Sequence, residues 1–110
     1  MDTGNTALAD ALQTQDMAAI AFGLRHGPTF APHEGDGLWL HRDAASGRDV
    51  LLLFSEARRA PASLPPVVAL SPDDLRAALG EIDVAAVILD VAGPHPMQAA
   101  PADIIAALDA

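Results

Sequence analysis

The side chains able to do chemistry in this chain are few: His26, His33, His41 and His95, the nearby carboxylates Asp36, Asp43 and Asp90, and the hydroxyls of Ser55 and Ser71. Histidine beside a carboxylate is the raw material of a metal site or of general acid and base catalysis. No two of these histidines stand at a ligand spacing, so four surface or hydrogen-bonded imidazoles are the plainer reading and no metal is assigned. Asp90 is better placed, because it follows the apolar run Val84 to Leu89 and precedes Gly93-Pro94-His95. An acid at the carboxyl end of a buried strand, before a glycine-containing loop, is where α/β sheets tend to hold ligands. Asp90 and His95 are therefore the candidate ligand-binding residues, and the competing role for Asp90 is to accept loop amides. Ser55 and Ser71 have no histidine in a nucleophile turn and read as helix caps.

The elements that position these groups are organised around residues 49 to 91. Three apolar runs, Val50 to Phe54, Val67 to Leu70 and Val84 to Leu89, read as strands, with a helix from Pro72 to Ile82 between the second and third. Its start is the strongest local signal: Ser71 caps, Pro72 takes the first helical position, and Asp73 and Asp74 complement the helix dipole. Leu75, Ala78, Leu79 and Ile82 form its apolar stripe. The run Val50 to Phe54 does not alternate, which predicts burial on both faces of a sheet, under other elements or a partner subunit.

Before this core, Leu8 and Leu12, then Met17, Ile20, Ala21 and Leu24, keep helical spacing, with Thr14-Gln15-Asp16 as a break and Asp16 as a cap. Residues 1–15 read as a mobile arm or a first helix, and residues 16–110 as one domain. Gly27 is expected in the left-handed conformation that ends a helix, ahead of Pro28. Thr29 to Ala31, bounded by two prolines, reads as an edge strand or an extended connection. Gly37 to Arg42 alternates as one strand, and the polar turn Asp43 to Asp49, with Gly47 free to take positive φ, joins it to Val50 in a hairpin. Ser55 is expected to cap a helical turn that Pro61 stops. Met97 to Ala100 reads as a short edge strand, and Pro101-Ala102-Asp103 opens a last helix. The fold class is α+β: a small mixed sheet of about four to five strands with an N-terminal helix, a middle crossover helix and a C-terminal helix.

Composition narrows the partners. Fifteen acidic residues against six arginines and no lysine give a net charge of −9, which repels nucleic acid and anionic membrane surfaces, so neither is expected as a partner. The longest apolar run is far shorter than the roughly 20 residues that span a bilayer. Met1 to Asn5 lacks the charged and apolar regions of a leader, and a cytoplasmic protein is the expectation.

The succession Leu53-Phe54-Ser55-Glu56, then Val68-Ala69-Leu70-Ser71-Pro72-Asp73-Asp74-Leu75, then Val87-Ile88-Leu89-Asp90, then Pro101-Ala102-Asp103-Ile104-Ile105 resembles the SseB N-terminal-domain family. Phe30-Ala31-Pro32 corresponds to an earlier strand of that family, so the likeness covers about two-thirds of the chain. Where the family has Asn-Pro-Gly after the third strand, this chain has Asp90-Val91-Ala92-Gly93-Pro94. The resemblance implies a small α+β domain of secretion-associated and uncharacterised bacterial proteins, with no catalytic residues to carry over and no cofactor.

Two functions are weighed on these residues. The first is a noncatalytic protein-interaction or assembly module that uses an apolar sheet face or edge, pairing with another protein or with itself as a homodimer. Alternation puts Trp39 and His41 on one face and Leu38 and Leu40 on the other, and Trp39, Leu38 and His41 are its candidate contact residues. The alternative is a small enzyme or ligand-binding protein with its site at the Asp90 to His95 loop. The first is preferred, and no enzymatic activity is assigned.

Overall fold

Two helices begin the fold in the computed structural model, which describes residues 4–110. The part of the expected arm formed by residues 1–3 lies outside the described residues. Helix α1 (Thr6–Thr14) is capped by Asn5, whose side-chain oxygen accepts from the Leu8 amide. It ends where Gln15 takes left-handed backbone at φ 55°. Asp16 then caps α2 (Met17–His26) by accepting from the Ala18 and Ala19 amides. Leu8 and Leu12 are buried in the core, so this stretch is an integral helix.

Gly27 departs from expectation. Its backbone is extended, at φ −158° and ψ 169°, so no left-handed cap forms. Glycine is needed here for space, because a Cβ would meet the Asn5 side-chain nitrogen at 2.7 Å.

Seven short strands follow: β1 (Thr29–Glu34), β2 (Gly37–Leu38), β3 (His41–Arg42), β4 (Asp49–Leu53), β5 (Val67–Leu70), β6 (Ala86–Leu89) and β7 (Met97–Ala99). They form two sheets, ordered β2-β1-β5 and β3-β4-β6-β7, in place of the single sheet of four or five strands expected. Phe30 and Phe54 stitch the two together by exchanging backbone hydrogen bonds of 2.8 and 2.9 Å. The expected strand Gly37 to Arg42 is split because it changes partner: β2 pairs with β1, β3 pairs with β4, and between them the Trp39 amide donates to the Pro32 carbonyl. Gly47 does take positive φ, at 70°, in the turn of the β3–β4 hairpin.

β1 is not the edge strand that its prolines suggested. It lies between β2 and β5, and Phe30, Ala31 and Pro32 are buried. Alternation explains the tolerance. The Phe30 amide donates to Phe54, so the missing donor of Pro32 falls on the same side two residues on, where the neighbouring strand changes from β4 to β2. The expected pairing of the second and third apolar runs across a helix also changes. Helix α3 (Pro72–Glu81) leads from β5 in one sheet to β6 in the other, and the parallel pair is β4 with β6, Val50 beside Ala86 and Leu53 beside Leu89. The α3 cap is as expected, with the Asp74 amide donating to Ser71 and the Ser71 amide donating back to Asp74.

Side-chain alternation divides β4 between two cores. Leu51 and Leu53 join Leu8, Leu12, Ile20, Leu24, Leu75, Leu79 and Ile104, so α1, α2, α3 and α4 (Pro101–Asp109) all bury their stripes on one sheet face. Val50, Leu52 and Phe54 point the other way, into a second cluster with Phe30, Ala86, Trp39 and Leu64 and with no residue of the four α-helices. The segment from the 3₁₀ turn Ala57–Arg59 to Pro66 crosses that face as a strap. This is why the run shows no polar alternation: both faces are covered, one by helices and one by a loop.

One core position carries a removable penalty. Thr29 is 1% exposed and its hydroxyl has no hydrogen-bond partner among the described residues. Thr29→Val is expected to raise the unfolding free energy by about 1 kcal/mol in chemical denaturation, since it deletes an unpaired buried hydroxyl at little change in volume.

Candidate functional site

The Asp90 corner is built where the two parallel strands end together. The Asp90 amide donates to the Leu53 carbonyl, and the chain then turns sharply, with the Gly93 amide on the Asp90 carbonyl. Asp90 itself sits at φ 50°, a conformation that a non-glycine residue adopts at a cost. The residue is 3% exposed, and its carboxylate faces Ser55, accepting the backbone N–H at 2.7 Å and the hydroxyl at 2.7 Å. Ser55 therefore caps no helical turn. The turn at Ala57–Arg59 has Glu56 before it with no side-chain cap, and the Ser55 hydroxyl serves Asp90.

Arg59 closes the corner, its Nε 3.9 Å from a carboxylate oxygen of Asp90 and 3.9 Å from one of Glu56. His95 is exposed and shares with Asp90 a recess of about 10 Å³, enough for one water at most. The arrangement holds two strand ends and a loop together, with Asp90 engaged as an acceptor for Ser55. His26 is elsewhere, its ring 4.3 Å from that of Phe22 on α2, and His41 lines a different cavity. Among the described residues no group of three or more histidine and acidic side chains could hold a metal ion.

That different cavity is the larger feature, a cleft of about 510 Å³ over the sheet face that the helices leave free. Strand register lays out its floor in two rows. His41, Val50 and Ala86 are neighbours across β3, β4 and β6, and Leu52, Ile88 and Gln98 are neighbours across β4, β6 and β7. The apolar side chains lie in the middle and the polar ones at opposite edges. Pro61 and Leu64 of the strap form one wall, and Val91, from the turn after Asp90, stands at another side, 39% exposed.

Asp43 and Ser46 form the polar rim. The Ser46 hydroxyl donates to Asp43 at 2.8 Å and the Ala45 amide at 3.4 Å, and these bonds hold the Asp43 carboxyl below its ordinary range. A depressed folded pKa stabilises the hairpin turn above the unfolded value and loses that contribution as pH falls through the folded one. Acid titration followed by carboxyl NMR is expected to place Asp43 below an unstructured aspartate, and Ser46→Ala to move it back up.

The contact residues drawn from the sequence divide between these environments. Leu38 and Leu40 pack against the helix-side core, as alternation implies. Trp39 is half-buried against the second cluster, its ring 6.0 Å from that of His41, and of the three candidates His41 alone lines the cleft. Val50, Leu52, Leu64, Ile88 and Val91 were not among the candidates. The missing alternation in Val50 to Phe54 pointed to a second covered face. Nothing local marked the strap that covers it.

Fold and cleft together define a two-layer α+β domain with one sheet face under four helices and the other partly open beneath a loop. Comparison of the chain with models of known families, with curated proteins and with solved structures finds no match. No helix among the described residues is long and apolar enough to cross a membrane.

Proposed function

We propose that this chain is a noncatalytic protein-interaction or assembly module whose partner seats apolar side chains in the cleft over β4 and β6. The observation that supports it is a ligand-sized, mostly apolar cavity on the sheet face that no helix packs against. The Asp90 corner, by contrast, offers a water-sized recess and a carboxylate turned toward Ser55. Membership of the SseB N-terminal-domain family that the sequence resembles, a cytoplasmic location and a secretion-associated role belong to the same proposal. The partner is another protein or a second copy of this chain.

Affinity capture with the purified chain as bait tests the reading when parent, Val91→Asp and Leu64→Asp are run side by side. Both substitutions place a charge on a cleft wall. The expected result is a partner held by the parent and lost by both variants, with Val91→Asp melting close to the parent and Leu64→Asp, which also loses packing against the second cluster, folded but less stable. A partner retained by both variants, or none held by the parent, counts against the cleft.

A further inference from the structure

We infer that the cleft's occupant is an apolar segment of a different protein that carries arginine or lysine beside its apolar residues. This rests on the proposed interaction role and adds the chemistry of the partner. Charge carries the argument. Among the cleft-lining residues Asp43 is the acidic one, and none is lysine or arginine. Arg42, next to the lining residue His41, points to the other side of its strand and is paired with Asp49 at 2.7 Å and with the Gly47 carbonyl at 3.1 Å. Asp43 is ionised at neutral pH, as an aspartate ordinarily is, and its carboxylate accepts from the Ser46 hydroxyl and from the Ala45 and Ser46 amides.

The rest of the molecule acts in the same direction. With a net charge of −9 it attracts a cationic segment and repels a second copy that also carries −9. The floor fits such a segment: Val50, Leu52, Ala86 and Ile88 take apolar side chains, while Asp43 stands at the rim to meet a flanking cation.

The test uses three synthetic peptides with the same valine, isoleucine and leucine centre, flanked by arginine, by serine or by glutamate. Binding is followed by the fluorescence of Trp39, which packs against the cluster beneath the cleft, and by calorimetry. The arginine-flanked peptide is expected to bind about ten-fold more tightly than the glutamate-flanked one at low salt. That preference is expected to collapse near 1 M salt, where the screening length falls to about 3 Å. Asp43→Asn, which leaves the apolar floor intact, is expected to reduce the preference several-fold, and Val91→Asp to weaken all three peptides, the glutamate-flanked one most because the new carboxylate repels it. Equal binding of the three peptides overturns the charge argument while leaving the cleft as a docking site. Binding of none to the folded parent overturns the docking reading itself. A dimer in sedimentation that Val91→Asp and Leu64→Asp both dissociate overturns the inference in favour of a second copy.

Discussion

Replacing Asn5 by Ala is expected to lower the unfolding free energy by about 3–5 kcal/mol. Asn5 is 5% exposed, and its side chain makes three hydrogen bonds. The amide nitrogen donates to the Gly23 carbonyl at 2.9 Å and to the Pro28 carbonyl at 3.0 Å, while the oxygen caps α1 at the Leu8 amide. Its backbone N–H also reaches the Ser55 carbonyl. One residue thus joins the start of α1, the body of α2, the entry to β1 and the end of β4. Loss of the cap alone costs about 1 kcal/mol. The carbonyls of Gly23 and Pro28 are then left with fewer partners in a buried setting, at about 1–3 kcal/mol each before relaxation.

Asn5→Asp separates capping from the other bonds. A carboxylate still accepts from Leu8 but faces two carbonyl oxygens with no donor, so it is expected to be no better than alanine. Guanidinium denaturation at neutral pH checks both variants. A destabilisation below about 1 kcal/mol for Asn5→Ala would sink this account, leaving at most an ordinary exposed cap. Gly27→Ala supplies a cross-check, because its Cβ would strike the Asn5 side chain and the clash should largely vanish in the Asn5→Ala background.

The second large effect is expected at Asp90. Asp90→Ala leaves the Ser55 N–H and hydroxyl without their acceptor in a site 1–3% exposed, and puts a Cβ-bearing residue at φ 50° with nothing to offset the strain. A loss of about 3 kcal/mol follows, or a fall in melting temperature of about 12 °C for a domain of this size. Asp90→Asn keeps an oxygen for the Ser55 N–H and tolerates the left-handed conformation, so about 1 kcal/mol is expected. Asp90→Gly is expected to fall between them, relieving the backbone but losing both bonds. Amide hydrogen exchange at Ser55 reads the same ranking locally. Three variants of equal stability would show that the Ser55 bonds contribute nothing.

What the sequence disclosed was whatever is closed within a few residues. Ser71-Pro72-Asp73-Asp74 announces α3 because a capping box needs only residues i and i+3, and Asp16 and Gly47 announce their own turns for the same reason. Alternation placed Leu38 and Leu40 opposite Trp39 without knowledge of their neighbours. The misses are all long-range. Ser55 next to a helical turn resembles a cap until Asp90, 35 residues on, is brought beside it. Gly27 resembles a left-handed helix end until Asn5 occupies the space its Cβ would need. Pro32 resembles an edge marker until β1 is seen to change neighbours at that residue. The cleft was hidden most completely, because its floor comes from four strands and its walls from two loops.

The parallel pairing of β4 and β6 has a kinetic consequence. Those strands meet only after the strap, β5 and α3 have been laid down between them, whereas the α1–α2 pair and the β3–β4 hairpin close locally. Forming the centre of the sheet is therefore the step that bears the loop-closure entropy, and refolding is expected in milliseconds to seconds rather than microseconds. The Ser55–Asp90 bonds close the far end of that pair and are expected to form after it, which the folding and unfolding rates of Asp90→Asn would check. Weakening them would hasten unfolding far more than it slows folding, and Asp90 would act as the catch that sets how long each molecule stays folded.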